Sequence, residues 1–281
     1  TQFRLQHKNK IFAQAEFWQN VLLVCLIFIL STFFNGLGYI IALVSSPLIA
    51  SLFFFKKLQV KLLRNHQLSI TDIDFWKYGL FGGLSNVASQ FLFIVDMLLI
   101  GYLISDPIII TNYRYVSIIP FSLLFLPRIF IATDFVSLTE KIHQKKYIKD
   151  YINSYVMFFS IVSVMMVFFF YLFGHSMLTL FFGNDYEKYF DSFIILIFGI
   201  VGVYVFRGLF GNLLSSIGKT RTNYYITIFA IVINIVSNYY LIPHYGIKGA
   251  AMTSSLLMWL TGIVSWICFS YYYKKAYPTK V

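Results

Sequence analysis

Charged side chains are scarce in this sequence. Asp, Glu, Lys and Arg make up 12% of its 281 residues, about half of the roughly 25% that is usual in a soluble domain. Hydrophobic residues reach 59%, and the mean hydropathy is +0.74. A soluble domain of this length cannot bury so much apolar surface. The composition therefore excludes a soluble globular protein and predicts an integral membrane protein that lies almost wholly in or beside the bilayer.

Residues that build catalytic and metal sites are few and scattered. The two cysteines, Cys25 and Cys268, stand alone in apolar runs, which excludes a disulfide framework and a zinc site. The histidines are far apart, and the sequence has no H-E-x-x-H, no G-x-S-x-G and no carboxylate pair within one apolar run. We expect no catalytic residue, no metal and no cofactor, and we expect that the protein is not an enzyme.

A complete nucleotide-binding loop is also missing. Gly218, Lys219 and Thr220 match the end of G-x-x-x-x-G-K-[ST], but Leu213 occupies the position of the first glycine. The triplet lies between two apolar runs of membrane-spanning length. It is therefore predicted to be a loop between two membrane helices.

Long apolar runs, bounded by charge, glycine or proline, predict eight transmembrane helices. Their ranges are 16–34, 36–55, 75–104, 107–136, 151–173, 192–214, 222–242 and 246–273. The first two are separated only by Asn35 and Gly36. A single helix over both would be about 60 Å long, twice the hydrocarbon thickness, so we predict a tight helical hairpin.

The positive charges predict the orientation of these helices. Lys and Arg near helix ends are retained on the cytoplasmic side, and 17 of the 22 basic residues fall on one side of the predicted spans. The opposite side holds Lys188 and Lys248. We therefore expect both ends of the chain in the cytoplasm. Because the basic residues are spread among short loops, the net charge of +11 is read as a topology signal and not as a nucleic-acid surface.

Three arginines and one aspartate fall inside predicted spans, where an ionised side chain is costly unless it is paired or wetted. They are Arg114, Arg128, Arg207 and Asp96. Asp96 and Arg114 lie at similar depth on neighbouring antiparallel helices, so an ion pair is plausible, either functional or purely structural. Arg207 can reach a central cavity or the inner headgroups, whereas Arg128 is expected to extend toward the headgroups.

Polar and small residues share one face in three of the predicted spans. In the third span these are Gly82, Ser85, Ser89 and Asp96, with Gly79, Gly83, Asn86 and Gln90 adjoining; in the sixth Gly208, Gly211, Asn212 and Ser215; in the seventh Asn223, Thr227, Asn234 and Asn238. Such faces avoid lipid. They indicate either a shared water-filled cavity or tight helix packing through glycines.

Several segments together resemble the bacterial polysaccharide flippases, the O-antigen and capsule branch of the superfamily that includes multidrug and toxin extrusion proteins. The segments are FIVDMLLIGYLI, TNYRYVSII, LTLFFGNDY, the turn from Gly218 to Asn223, the pair Asn234 and Asn238, and LIPHYGIKGAA over 241–251. They occur in the family's order across roughly 200 residues.

The resemblance implies a lobed architecture. Residues 75–281 would form a six-helix C-terminal lobe, 57–74 a basic cytoplasmic connection, and 1–56 the last two helices of an N-terminal lobe. The expected fold is thus an all-α polytopic membrane helical bundle of about eight transmembrane helices. The start without Met fits an N-terminally truncated chain.

The function implied by the resemblance is a flippase of the bacterial inner membrane that moves oligosaccharide linked to undecaprenyl pyrophosphate by alternating access. Its partners would be this lipid-linked oligosaccharide, membrane lipids and other glycan-assembly proteins. The cavity candidates are Arg114, Arg207, Asp96, Asn86, Gln90, Asn234 and Asn238. A cation-coupled multidrug exporter of the same fold and a membrane enzyme of surface-glycan assembly are the alternatives; the excess of arginine over acid within the spans favours anionic cargo.

Overall fold

The computed structural model describes residues 9–55 and 73–278. The described residues are almost entirely helical and contain no strand, and seven helical segments are long and apolar enough to cross a membrane. The predicted all-α membrane bundle is confirmed. The helices are α1 (Asn9–Phe55), α2 (Ile73–Ile104), α3 (Pro107–Ser122), α4 (Phe125–Glu140), α5 (Lys145–Phe182), α6 (Phe190–Gly202), α7 (Gly208–Ser216), α8 (Thr220–Tyr245) and α9 (Ile247–Ala276).

The chain forms two compact units, which divide between residues 70 and 71. The described part of the first unit is 9–55, and that of the second is 73–278. Most of the predicted basic connection 57–74, and the terminal residues 1–8 and 279–281 with their basic side chains, lie outside the described residues.

In the first unit, α1 is two helices joined at Asn35. The backbone of Asn35 has φ 51° and ψ −131°, which no helix contains, and asparagine tolerates positive φ better than most residues. Gly38 lies so close to the Leu30 carbonyl that a Cβ would not fit. The Ser46 hydroxyl donates a hydrogen bond of 3.0 Å to the carbonyl of Gln19. The predicted hairpin is therefore confirmed.

We predict that replacing Ser46 by alanine lowers the free energy of unfolding by about 1 kcal/mol, since it removes one buried hydrogen bond between the hairpin helices. The control is Ser45→Ala, because within the described residues the Ser45 hydroxyl bonds only to carbonyls of its own helix. Thermal unfolding in detergent measures both. Equal midpoints for the two variants would contradict the prediction.

The predicted span 107–136 is broken between α3 and α4. Pro127 has no N–H, so the carbonyl four residues earlier, on Leu123, lacks its i+4 donor and accepts instead from the N–H of Leu126 at 3.1 Å. The hydroxyl of Tyr204 donates to that carbonyl at 2.8 Å. A buried tyrosine from another span thus stabilises the break.

The sixth predicted span also changes its helix type. Between α6 and α7 the residues Val203–Arg207 form a π-helical turn, in which the N–H of Gly208 bonds to the carbonyl of Val203. Such turns are frequent at functional sites. A Cβ on Gly262 of α9 would lie 3.0 Å from the carbonyl oxygen of Gly202 and 3.1 Å from the backbone nitrogen of Arg207. Glycine at 262 therefore permits α9 to approach the turn.

Helix α5 is longer than predicted at both ends. It begins at Lys145 and ends at Phe182, whereas hydropathy predicted 151–173. The connection after it is a short 3₁₀ helix, Asn184–Tyr189. His175, which lies just beyond the predicted span, is part of α5 and stacks on Phe190 with ring centroids 3.7 Å apart. At the N-terminal end, polar residues continue the backbone hydrogen bonding beyond the apolar run. At the C-terminal end, the helix passes through Gly174 and His175, where the predicted span stopped, into the mostly apolar residues 177–182.

Candidate functional site

The polar face of α2 adjoins open space. A Cβ added to Gly79, Gly82 or Gly83 would meet no atom within 4 Å. These glycines therefore do not mediate tight packing of α2 against another helix within the described part of the chain. Of the two interpretations of this face, the structure supports the cavity.

A polar cavity of about 330 Å³ lies beside this face, within the second unit. We call it the Arg207 cavity. Its lining consists of Tyr78, Gly82, Ser85, Asn86 and Ser89 from α2, Phe135 from α4, Arg207, Gly211, Asn212 and Ser215 from the sixth span, and Thr220 and Asn223 from α8. Polar faces of three predicted spans thus meet in one cavity. It lies toward the helix ends that the charge distribution predicts to be cytoplasmic.

Arg207 is the charged residue of this cavity. Its Nη1 donates to Asn223 Oδ1 at 2.7 Å and to Ser265 Oγ at 2.6 Å, and its Nη2 donates to Thr227 Oγ1 at 3.1 Å. None of these partners is charged, and no acidic residue is present among the described residues that line the cavity. A half-buried guanidinium without a counter-ion, beside an open polar space, can bind an anion.

A second polar group is closed and does not reach the cavity. The carboxylate of Asp96 has no exposed surface and accepts hydrogen bonds from side chains of three other helices. Asn234 and Asn238 of α8 both donate to Oδ1 at 2.8 Å, and Tyr113 of α3 donates to Oδ2 at 2.8 Å. Ser254 of α9 also donates to Oδ2. We call these five residues the Asp96 cluster.

The structure does not contain the predicted pair of Asp96 with Arg114. Among the described residues Asp96 has neutral partners, and Arg114 is exposed with no acidic partner. Tyr113, one residue before Arg114, points to the carboxylate instead. Adjacent residues on a helix point about 100° apart, so similar depth did not suffice to make Arg114 the partner.

The remaining cavity candidates divide between the two sites and the surface. Asn86 lines the Arg207 cavity, and Gln90 is exposed one turn farther along α2. Asn234 and Asn238 are fully buried in the Asp96 cluster and line no part of the cavity. Arg128, expected to extend to headgroups, is exposed on α4 two turns before Phe135 and on the same helix face.

Several residues of these sites were not predicted. Tyr113 and Ser254 of the cluster, and Ser265 and Tyr78 near the cavity, are uncharged residues in apolar helices. The one available signal was weak: Ser254 and Ser265 lie in a helix that carries unusually many hydroxyl residues for a membrane span.

Comparison with known proteins finds a relative named for polysaccharide biosynthesis. The chain is 30% identical over 105 residues to the capsular polysaccharide biosynthesis protein CapF of Staphylococcus aureus. The match covers 37% of this chain and 25% of that protein, so it spans about a quarter of the relative's length. No family model matches the chain, and no solved structure matches it. The chain is thus a multi-pass helical membrane protein with a distant relative in polysaccharide biosynthesis.

Proposed function

We propose that this protein is a flippase, or part of one, that moves oligosaccharide linked to undecaprenyl pyrophosphate across the bacterial inner membrane. The observation that carries the proposal is the uncompensated guanidinium of Arg207 at a polar cavity within the membrane spans. A pyrophosphate is an anion that guanidinium groups bind well. The relative named for capsular polysaccharide biosynthesis supports the same class of substrate.

In this mechanism the six spans from α2 to α9 form one lobe, which works against a second lobe by alternating access. The sugar crosses through the polar cavity while the carrier's hydrocarbon tail stays in the bilayer. No covalent bond changes, so the protein acts as a transporter and not as an enzyme. Both ends of the chain face the cytoplasm, and the cavity opens on that side. Other glycan-assembly proteins would supply the substrate.

The exposed arginines extend this proposal beyond the cavity. Phe135 of α4 lines the cavity. Arg128 lies on the same face of α4, about 10 Å from Phe135 along the helix axis. Arg114 is exposed on α3, nearer the opposite end of the same predicted span. Charged residues in spans usually face a water-filled passage. A series of guanidinium groups favours an anionic cargo over the cationic cargo of a drug exporter.

The proposal is tested by complementation with the complete protein in a strain that lacks its gene. We expect Arg207→Ala to abolish surface polysaccharide. We expect Gly82→Leu to reduce it at least about tenfold, because the added side chain fills space now open in the cavity. Surface polysaccharide is measured with an antibody or lectin, and membrane insertion by immunoblot.

The matched control is Gly83→Leu. Gly83 is the next residue of α2, has the same free space around its Cα and does not line the cavity, so its variant should support normal polysaccharide. Normal polysaccharide in inserted Arg207→Ala and Gly82→Leu variants would refute the proposed function.

A further inference from the structure

The hydrogen bonds of Arg207 within the described residues leave two of its five N–H donors free. Arginine has five N–H donors in one plane. Two bonds leave Nη1, to Asn223 and Ser265, and one leaves Nη2, to Thr227. Among the described residues, Nε and the second hydrogen of Nη2 have no partner. The nitrogens Nε and Nη2 border the same edge of the planar group.

The three acceptors are themselves fixed as acceptors. Asn223 donates from Nδ2 to the carbonyl of Gly211 at 2.7 Å, which turns its Oδ1 toward Arg207. Thr227 donates its hydroxyl hydrogen to the carbonyl of Asn223 at 3.1 Å. Ser265 donates its own to the carbonyl of Thr261 at 2.7 Å. Each oxygen therefore presents only lone pairs to the guanidinium, and its orientation is set by a helix backbone.

This arrangement holds the guanidinium without neutralising it. A carboxylate in place of any of the three acceptors would cancel the charge and would compete with an anion. Neutral acceptors fix the orientation of the plane and leave the charge for a ligand.

We propose that Arg207 presents its Nε–Nη2 edge as a two-point binding site for a phosphate group, and that Asn223, Thr227 and Ser265 are the positioning residues that aim this edge. The inference rests on the proposed function and names the part of the carrier lipid that the cavity recognises. Two parallel N–H donors match two oxygens of one phosphate. A lysine carries the same charge but cannot reproduce the paired geometry.

The test is binding of inorganic pyrophosphate to the complete purified protein in detergent, measured by calorimetry at one low salt concentration. Arg207→Lys should weaken binding roughly tenfold or more, the effect of losing one charge-assisted hydrogen bond. Thr227→Val should weaken it severalfold, whereas Thr227→Ser, which keeps the hydroxyl, should bind as the wild type does. Ser265→Ala provides a second variant that loses an acceptor.

Unfolding midpoints identify variants that have lost their fold, and only folded variants are compared. Wild-type affinity in Arg207→Lys, or equal affinities in Thr227→Val and Thr227→Ser, would overturn the proposal. A polyprenyl diphosphate in the same detergent should displace pyrophosphate with the same dependence on Arg207. Failure to displace it would overturn the assignment to the carrier lipid.

The two proposals can fail separately. Pyrophosphate binding with the expected pattern, together with normal surface polysaccharide in Arg207→Ala cells, would refute the flippase and leave the phosphate site. Loss of polysaccharide in those cells, together with binding that is indifferent to Arg207→Lys and Thr227→Val, would refute the two-point site and leave the flippase.

Discussion

Replacing Asp96 by alanine should remove most of the stability of the second unit. The carboxylate is the common acceptor for Tyr113, Asn234, Asn238 and Ser254, which come from three other helices. Without it these buried donors lose their shared partner, and each unsatisfied group costs about 1–3 kcal/mol. The total, about 4 kcal/mol or more, is a large part of a typical folding free energy of about 5–15 kcal/mol.

The measurement is the thermal unfolding midpoint of the complete protein in detergent, together with the yield of monodisperse protein. Tyr113→Phe is the graded comparison, because it keeps the ring and removes one donor from the cluster, for an expected loss of about 1 kcal/mol. Asp96→Asn should fall between the two, since an amide keeps one acceptor oxygen. An Asp96→Ala protein that unfolds at the wild-type temperature would show that the cluster does not hold α2, α3, α8 and α9 together.

Replacing Gly199 by alanine should separate α6 from α9. A Cβ at residue 199 would lie 2.7 Å from the Cα of Ser255 and 3.1 Å from the sulfur of Met258. The nearest atom belongs to the backbone of α9, so it cannot be avoided by a change of rotamer. Overpacking of this kind costs about 1–3 kcal/mol, and more when a helix must move. Helices α6 and α9 are similarly close at Gly202, where a Cβ would lie 2.9 Å from the Cα of Trp259.

The matched control is Gly79→Ala in α2, where an added Cβ meets nothing within 4 Å. That substitution should be neutral or stabilising by up to about 1 kcal/mol, because alanine favours helix over glycine. Unfolding midpoints in detergent compare the two variants directly. Similar midpoints would mean that α6 and α9 are not held as closely as the structure has them. The combination Gly199→Ala with Gly202→Ala should be worse than either alone.

Together these predictions assign different roles to the two polar sites. The Asp96 cluster is closed and shared among four helices, and its carboxylate accepts four hydrogen bonds, so its expected effect is on stability. The Arg207 cavity is open and keeps an uncompensated charge, so its expected effect is on transport. Variants at the two sites should therefore separate in a plot of unfolding temperature against surface polysaccharide.

The membrane class and the approximate positions of the spans follow from hydropathy, and the hairpin at Asn35 follows from hydropathy together with the thickness of the hydrocarbon layer. Hydropathy is a local property, because each run of about 20 apolar residues meets lipid whatever its neighbours are. The polar faces of α2, of the sixth span and of the start of α8 were predictable for a similar reason. Polar groups that share one face of a helix cannot face hydrocarbon. Part of each predicted face does line the Arg207 cavity, namely Gly82, Ser85, Asn86, Ser89, Gly211, Asn212, Ser215 and Asn223.

The hydrogen-bond partners of the charged residues within the spans could not be predicted from hydropathy or from polar helix faces. Charge complementarity suggested Arg114 for Asp96, but the rotation of α3 brings Tyr113 to the carboxylate, and α8 and α9 supply donors from residues more than 130 positions away. The break near Pro127, the π turn before Gly208 and the acceptors of Arg207 depend likewise on contacts between distant helices. Helix phase and register across the bundle result from the packing of all the helices at once, and no single segment of the sequence encodes them.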